Sequence, residues 1–363
     1  MTAPILVTSA AELGEICDRL VLEPMVAVDT EFLWERTYYP ILGLVQVADA
    51  KGNCWLIDPV SIGDIRAFGK VVAAPGVVKI LHDAPQDLNI IHYATGAFPK
   101  TVFDTRRAAG FAGLSGVCSL KFLTEALLGV TLEKSETRSN WTKRPLTDKQ
   151  LEYAADDVIY LPEIMERLTG LCQNDEVRAW LTEEMKTLDN ESIYQERPVS
   201  EAVYKVKGRS HLEPRQFSVL AQLAAWREKA ARKRNLPRGF IIPDATLLEV
   251  AAKPPKNAVE LLAIKGMPRH FAAHRSREIL AAIRTGLENP MPPPERKNNP
   301  PYQEIKRKAD AILAKIAQQS KKYGIDPQVV AARHDVEDWV NATPEERSHS
   351  ILETTWRKKL MKG

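Results

Sequence analysis

Four short apolar runs, rich in β-branched residues, occur early in the chain, before any long stretch with helical spacing. They are Met25–Asp29, Ile41–Ala48, Cys54–Asp58 and Val77–Leu81. Runs of this length and composition are typical of β-strands. Because helical patterns interleave only after these runs, the sequence predicts an α/β domain at the start of the chain.

Helical spacing begins at Pro85 and continues to about residue 186, interrupted by one further short strand at Thr101–Asp104. Thr147, followed three residues later by Gln150, has the pattern of a helix-capping box. The predicted helices of this region are Ser119–Leu128, Thr147–Leu168 and Glu176–Lys186. We therefore expect the α/β domain to occupy residues 1–205.

The rest of the chain has helical patterns and no clear strand. Residues 211–290 predict a compact helical domain, in which Phe217, Leu220 and Leu223 mark one amphipathic face. The prolines of residues 291–301 predict a stiff linker. Residues 302–363 then predict a second small helical domain.

Charge divides the chain into two contrasting parts. Residues 1–200 contain 19 Lys and Arg against 29 Asp and Glu, whereas residues 201–363 contain 31 against 18. An acidic first part suits a site that gathers cations, and a basic second part suits a polyanion such as nucleic acid. Two domains with ordinary solvated surfaces would give the same count, so charge alone leaves both interpretations open.

The sequence also limits the cellular setting that we expect. No run of about 18 uncharged apolar residues is present, and the first 20 residues resemble neither a signal nor a transit peptide. The four cysteines are scattered without a C-x-x-C pair, which argues against a zinc ribbon or a disulfide framework. We expect a soluble, cytoplasmic protein without a membrane partner.

Acidic residues recur where the predicted strands and helices bring side chains together. Asp29 and Glu31 are two residues apart on a strand, so both point to the same face. Tyr153 and Asp157 are four residues apart on a helix and share one face. Asp87 lies where an apolar strand gives way to a helix, a common position for functional side chains in α/β folds.

Four clustered carboxylates repel one another, and such a group is tolerable chiefly when cations neutralise it. Oxygen ligands favour Mg²⁺ or Mn²⁺ over zinc. Two such ions, roughly 3.5 to 4 Å apart, can activate water and stabilise the leaving oxygen of a phosphodiester. The arrangement therefore indicates hydrolytic chemistry at phosphorus, although each acidic residue taken singly is more often a solvated surface group.

Three segments resemble the three exonuclease motifs of the DEDD superfamily, in its tyrosine-bearing branch: VDTEF, HDAPQDL and YAADDV. The resemblance spans roughly residues 5–190. It implies a ribonuclease H-like fold, with a mixed sheet flanked by helices, in which Asp29, Glu31 and Asp157 bind two divalent ions. It also implies that Asp87 helps to hold the second ion and that Tyr153 orients the attacking water.

A second segment, REKAARKRNLPRGFIIPDATLLEVAAKPPKNAVELLAIKGM, resembles the HRDC domain shared by RecQ helicases and ribonuclease D. With the exonuclease motifs, it makes the chain similar to the ribonuclease D family, and residues 302–363 resemble the degenerate second HRDC-like domain of that family. The HRDC resemblance implies contacts to the nucleic-acid backbone from a basic helix. The cations concerned are Arg227, Lys229, Arg232, Lys233 and Arg234.

Three residues near the acidic motifs are further candidates for contact with nucleic acid. Phe32 follows Glu31 and could pack beside a terminal base, or could equally belong to the core. Lys143 and Arg144 precede the Tyr153 helix and could meet phosphates. No phosphate-cradling GxxxxGK[ST] motif is present, so we expect no use of ATP.

The family resemblance implies a 3′→5′ exoribonuclease that releases 5′-mononucleotides, with tRNA precursors or other structured RNA as substrate, and we expect a monomer. A DNA exonuclease of the same branch is an open alternative, since metal chemistry at a phosphodiester does not distinguish the sugars. A catalytically idle RNA-binding scaffold is disfavoured, because all four carboxylates and the tyrosine are present.

Overall fold

The computed structural model describes residues 3–132, 136, 139–292 and 300–362. The chain divides into two compact units, and the following ranges refer to their described residues. The first unit comprises residues 1–33, 42–194 and 299–363, and the second comprises residues 34–41 and 195–298. Most of the predicted proline-rich linker, residues 293–299, lies outside the described residues.

One six-stranded sheet is found in the described part of the first unit, with the strand order β1-β4-β3-β2-β5-β6. Strand β1 pairs in parallel with β4, β2 with β5, and β5 with β6, whereas β3 and β4 are antiparallel. The predicted mixed sheet is therefore present. The strands are β1 (Ile5–Val7), β2 (Met25–Leu33), β3 (Ile41–Asp49), β4 (Cys54–Ile57), β5 (Val78–Leu81) and β6 (Val102–Asp104).

Nine α-helices belong to the part of the first unit before residue 195, as far as the described residues show. The first of them, missed by the sequence analysis, begins with a capping box between Ser9 and Glu12. These helices are α1 (Ala10–Leu20), α2 (Pro59–Ile62), α3 (Gly69–Ala73), α4 (Pro85–Thr95), α5 (Thr105–Phe111), α6 (Leu120–Leu128), α7 (Asp148–Ile159), α8 (Leu161–Leu171) and α9 (Asp175–Lys186).

The long helix predicted over Thr147–Leu168 is two helices, α7 and α8, separated at Tyr160. Its predicted start is confirmed, because the Thr147 hydroxyl caps α7 and Gln150 completes the capping box. Proline lacks the N–H that a continuous helix needs, and Pro162 lies in the first turn of α8, where that N–H is dispensable. The chain therefore restarts its helix just before Pro162.

Helix α7 packs on one face of the sheet, against β2 and β4. Ala27 of β2 and Leu44 of β3 share a buried cluster with Ala154 and Val158 of α7. Val26 belongs to the cluster on the other face. Since strand side chains alternate, the odd-numbered residues of β2 face α7.

The second unit is helical, and its core includes the predicted amphipathic face at Phe217, Leu220 and Leu223. It begins earlier than predicted, because Ala202 and Val203, placed in the first domain by the sequence analysis, are buried in this core. Its α-helices are α10 (Pro214–Arg234), α11 (Arg238–Ile241), α12 (Asp244–Ala252), α13 (Ala258–Ala263) and α14 (Arg269–Glu288).

The prediction of a separate helical domain at residues 302–363 was wrong, because these helices share the hydrophobic core of the first unit. Trp356 stacks on Trp180 of α9, with ring centroids 5.4 Å apart, and lies 5.0 Å from the ring of Phe111 in α5. The indole N–H of Trp356 also donates to buried Glu184 at 3.2 Å. The helices are α15 (Tyr302–Tyr323), α16 (Arg333–Asn341), α17 (Pro344–Ser348), α18 (Ile351–Thr354) and α19 (Arg357–Lys362).

The shared core predicts that Trp356→Ala destabilises the first unit. Removing a buried tryptophan leaves a cavity and lost contacts, and we expect a loss of about 3 kcal/mol in the free energy of unfolding. Urea denaturation followed by circular dichroism measures it. Phe122→Ala, at a side chain that is 45% exposed in the same unit, is the control and should change stability little. An equally small effect at Trp356 would contradict the shared core.

None of the described helices combines the length and the apolar character that a bilayer crossing requires.

Candidate metal centre

Strand β2 and helix α7 bring three carboxylates together. Asp29 and Glu31 follow Ala27 at intervals of two residues, so both point to the face on which α7 packs. Asp157 lies on α7, one residue before the buried Val158. One carboxylate oxygen from each of Asp29, Glu31 and Asp157 lies within 4.8 Å of the others. No other such group of His, Cys, Asp or Glu occurs among the described residues.

Asp87 approaches from the first turn of α4, which follows β5 directly. Its carboxylate accepts a hydrogen bond from the hydroxyl of Thr30, the residue between Asp29 and Glu31 in β2. In the described residues Asp87 is not within the 4.8 Å group, but its charge raises the pKa of Asp29. The fourth predicted carboxylate therefore lies beside the other three.

Burial raises the pKa values of all four carboxyls, and repulsion within the group adds to it at Asp29, Glu31 and Asp157. Burial is the largest cause at Asp29, whose pKa lies well above its usual value, and the charges of Asp87, Asp157 and Glu31 add to it. Burial likewise raises the pKa of Glu31 to about 8 and that of Asp157 to about 7. For Asp87 the pKa rises to about 6. The group has more negative charge than its surroundings stabilise at neutral pH.

The raised pKa values of these carboxyls predict that metal-free protein loses stability as the pH rises. Carboxyl pKa values in the unfolded chain are about 4, so between about pH 4 and pH 8 the folded state binds more protons than the unfolded state. The free energy of unfolding then falls as the pH rises through that window. In EDTA at pH 8, Asp29→Asn should raise the melting temperature by about 3 °C or more.

Differential scanning fluorimetry of wild type and Asp29→Asn, from pH 5 to pH 8 in EDTA, measures this effect. The two melting temperatures should diverge as the pH rises, and Mn²⁺ should stabilise the wild type more than the variant. Parallel curves would show that the four carboxyls do not repel one another in the folded protein.

Tyr153 lies one helical turn before Asp157 on α7, as predicted. Its hydrogen bond to Asp157 lowers the pKa of that carboxyl, in opposition to burial. The Tyr153 ring is 6.1 Å from the ring of Trp141, which is fully buried. A Cβ at Gly43 would lie 2.6 Å from the Trp141 carbonyl oxygen, so only glycine allows β3 this close to Trp141. The phenol is thus held beside the carboxylates by packing.

The donor set fits hard divalent cations. All donors are carboxylate oxygens, with a phenol beside them, and Asp29, Glu31, Asp87 and Asp157 are each only partly buried. Mg²⁺ and Mn²⁺ prefer such oxygen ligands and keep several waters, whereas structural zinc sites use Cys and His. Bound cations would also neutralise the repulsion that raises the pKa values.

Three side chains of the first unit were predicted to contact nucleic acid, and one of them is already bound to other residues of the protein. Lys143 is exposed, and Phe32 is half-buried. Arg144 was predicted to meet phosphate, but its guanidinium pairs with the buried carboxylate of Asp58 at 2.5 Å and donates to the Gly43 carbonyl at 2.7 Å. Since these partners occupy Arg144, the structure assigns it to fixing the loop before α7.

Two of the five predicted cations of α10 are also engaged within the second unit. Arg227 is 2% exposed and pairs with Asp244 at 2.7 Å, so the prediction that it contacts nucleic acid was wrong. Arg232 pairs with Glu196 at 2.9 Å and with buried Glu228 at 3.4 Å. The remaining three are exposed: Lys229, Lys233 and Arg234.

Thr30 is the contributor to the site that sequence reasoning missed. Its hydroxyl holds the Asp87 carboxylate although the two residues are 57 positions apart. The only available signal was its place between two acidic residues on β2. Alternation puts its side chain on the other face of the strand, so Thr30 had no apparent reason to contact the carboxylates.

Comparison with known families agrees with this geometry. Residues 4–173 match the 3′-5′ exonuclease family and residues 216–283 match the HRDC domain. The first range contains β1 to β6 and all of Asp29, Glu31, Asp87, Tyr153 and Asp157. The fold and the site together define a 3′→5′ exonuclease followed by a helical HRDC region, which confirms the predicted fold class.

Relatives along the whole chain identify the family. The chain is 37% identical to ribonuclease D of Desulfotalea psychrophila, over 98% of this chain and 96% of that one. It is 39% identical to ribonuclease D of Pseudomonas paraeruginosa, over 74% and 71%. The crystal structure of Escherichia coli ribonuclease D superposes with a TM-score of 0.83 at 29% identity, covering 100% and 97%. The chain belongs to the ribonuclease D family, and it is a hydrolase of the exoribonuclease class.

Proposed function

We propose that this protein shortens RNA from the 3′ end by hydrolysis at two divalent ions, Mg²⁺ or Mn²⁺, releasing 5′-mononucleotides. The convergence of Asp29, Glu31 and Asp157 within 4.8 Å is the observation that supports this most strongly. Asp87 beside the group supplies the fourth carboxylate.

Each residue then has a distinct role. Asp29, Glu31 and Asp157 hold the ion pair, and Asp87 helps to hold the second ion. When bound, such ions supply an activated water and stabilise the leaving oxygen. Tyr153 orients the attacking water by hydrogen bonding, and its neutral phenol adds no fifth negative charge to the site.

We propose RNA as the substrate, in particular tRNA precursors, and two observations support RNA. The solved structure from Escherichia coli is described as an exoribonuclease involved in structured RNA processing. In this chain, residues 201–363 have a large excess of Lys and Arg. We propose that exposed Lys143, Lys229, Lys233 and Arg234 contact phosphates and that half-buried Phe32 packs beside the terminal base.

The phosphate contacts predict a salt effect. Lys233→Ala should weaken RNA binding and reduce the slope of log affinity against log salt by about 0.7, the value for one phosphate on a single strand. Fluorescence anisotropy with single-stranded RNA at several NaCl concentrations measures this slope. Lys253→Ala, at another exposed lysine of the second unit, is the control. Equal slopes for Lys233→Ala and wild type would remove Lys233 from the interface.

A time course on a tRNA precursor with a 3′ extension tests the proposed function. RNA labelled at its 5′ end should shorten progressively in Mg²⁺ or Mn²⁺, a 3′ label should appear at once as 5′-mononucleotide, and EDTA should stop both. A matched DNA strand should be spared. Equal loss of DNA would instead favour a DNA exonuclease, and tight binding without cleavage would indicate a scaffold.

A further inference from the structure

Asp104 is a buried carboxylate that the catalytic scheme does not use. It is 1% exposed, ends β6 and caps the start of α5, where it accepts hydrogen bonds from the backbone N–H groups of Arg106 at 2.9 Å and Arg107 at 3.3 Å. Capping of this kind is local and common. It accounts for only part of what this carboxylate contacts.

The same carboxylate also reaches the junction between β5 and α4. It accepts from the backbone N–H groups of Asp83 and Ala84, each at 3.1 Å and each on a different carboxylate oxygen. Asp83 has a positive φ of 63°, a conformation that a non-glycine residue adopts only where its surroundings impose it. Arg106 pairs with the Asp83 side chain from outside. Asp104 thus fixes the backbone where α4 begins.

Thr105 holds the two residues just before these. Its fully buried hydroxyl lies 3.1 Å from the Leu81 carbonyl oxygen, to which it donates, and 3.0 Å from Nδ1 of His82. Nε2 of His82 lies 3.2 Å from the Cys118 carbonyl oxygen. Each of the four consecutive residues 81–84 is therefore held by Asp104 or Thr105.

We propose that Asp104 and Thr105 are positioning residues for the metal centre, and that they act through Asp87. This inference rests on the proposed function, since it assumes that the carboxylates hold cations. Asp87 lies three residues after Ala84, in the first turn of α4. Because a helical turn is rigid, a shift of the backbone at Ala84 is transmitted to Asp87. The hydrogen bond from the Thr30 hydroxyl holds only the carboxylate of Asp87 and does not fix its backbone.

Two substitutions remove these contacts in different ways. Asp104→Asn keeps an oxygen for the α5 cap and for the N–H of Asp83, which share one carboxylate oxygen, but turns an N–H₂ group toward the N–H of Ala84, so that two donors face each other. Thr105→Val keeps the shape of the side chain and removes only the hydroxyl. Substitution of residues that support metal ligands typically weakens metal binding by 10 to 100-fold. We expect about tenfold weaker binding of one Mn²⁺ in each variant.

Asp49→Asn is the matched control. Asp49 is also buried, and its carboxylate accepts from the backbone N–H groups of Lys51 and Asn53 in the β3–β4 turn. Mn²⁺ titration calorimetry on the full chain without RNA gives the affinity directly, and activity against Mn²⁺ concentration gives an independent reading. Activity of Asp104→Asn and Thr105→Val should recover at high Mn²⁺, a result that simple loss of folded protein would not give.

The outcomes separate this inference from the proposed function. Weaker Mn²⁺ binding in Asp104→Asn and Thr105→Val, with Asp49→Asn unchanged, supports the positioning role. Wild-type Mn²⁺ affinity in Thr105→Val and in Asp104→Asn overturns it while leaving the metal centre intact. Absence of Mn²⁺ binding by the wild type would overturn the proposed metal centre itself, and the positioning role with it.

Discussion

Asp29→Asn should reduce the rate of RNA hydrolysis by about 10³-fold while RNA affinity stays within about threefold of wild type. A metal ion contributes several kcal/mol of charge stabilisation in the transition state, and each 1.36 kcal/mol is a factor of ten in rate. The change replaces a carboxylate by an amide of the same shape, so it removes an ion ligand and no phosphate contact. Single-turnover kinetics and fluorescence anisotropy in Mg²⁺ measure the two quantities.

Asp156→Asn provides the control for this result. Asp156 is the neighbour of Asp157 on α7 and contributes charge near the site, but it is not in the group of converging carboxylates. Neutralising it should change the hydrolysis rate by less than about tenfold. Near wild-type hydrolysis by Asp29→Asn would remove Asp29 from the metal centre, whatever the control shows.

Tyr153→Phe should lower kcat by about 10²-fold with little change in KM or in Mn²⁺ affinity. A side chain positioned to assist proton transfer or orient water typically contributes 10² to 10⁴-fold to the rate. Because the phenol is a weak acid, we expect its contribution at the lower end of that range. Phenylalanine keeps the ring packed near Trp141, so the loss reports the hydroxyl alone. Steady-state kinetics and Mn²⁺ calorimetry separate the two effects.

Tyr160→Phe is the matched control, because Tyr160 lies at the end of the same helix and outside the group of converging carboxylates. Removing the hydroxyl of Tyr160 should leave kcat within about twofold of the wild-type value. If Tyr153→Phe weakened Mn²⁺ binding as strongly as it lowered kcat, Tyr153 would act by supporting Asp157 and not by orienting water.

Local periodicity was enough to predict the central part of the site. The two-residue repeat of β2 predicted that Asp29 and Glu31 share a face, and the four-residue spacing on α7 predicted the same for Tyr153 and Asp157. Both follow from backbone geometry within a single element. The resemblance to the exonuclease motifs then supplied which elements face one another.

Contacts between distant residues were beyond sequence reasoning. Arg144 was assigned to nucleic acid from its charge and Arg227 from the HRDC resemblance, but ion pairs with Asp58 and Asp244 occupy them. The contact of Thr30 with Asp87 was missed for the same reason. A sequence gives the charge of a side chain, whereas its burial depends on elements that lie elsewhere in the chain.

The error at residues 302–363 has a related cause. The spacing of apolar residues in an amphipathic helix such as α15 predicts that one face of the helix is buried. It does not predict which other part of the chain packs against that face. A proline-rich segment before α15 suggested an independent domain. In the structure, aromatic side chains of the first unit, including Trp180, cover the C-terminal helices instead.

Anomalous diffraction from crystals grown with Mn²⁺ and a short RNA on Asp29→Asn and wild-type protein tests the metal centre most directly. The RNA has a non-hydrolysable linkage at its 3′ end, so that the wild-type protein cannot cleave it. With the wild type we expect two Mn²⁺ peaks about 4 Å apart, among Asp29, Glu31, Asp157 and Asp87. Asp29→Asn should lose at least one of them. Two peaks in the variant, or no peak among these carboxylates in the wild type, would contradict a two-ion nuclease site.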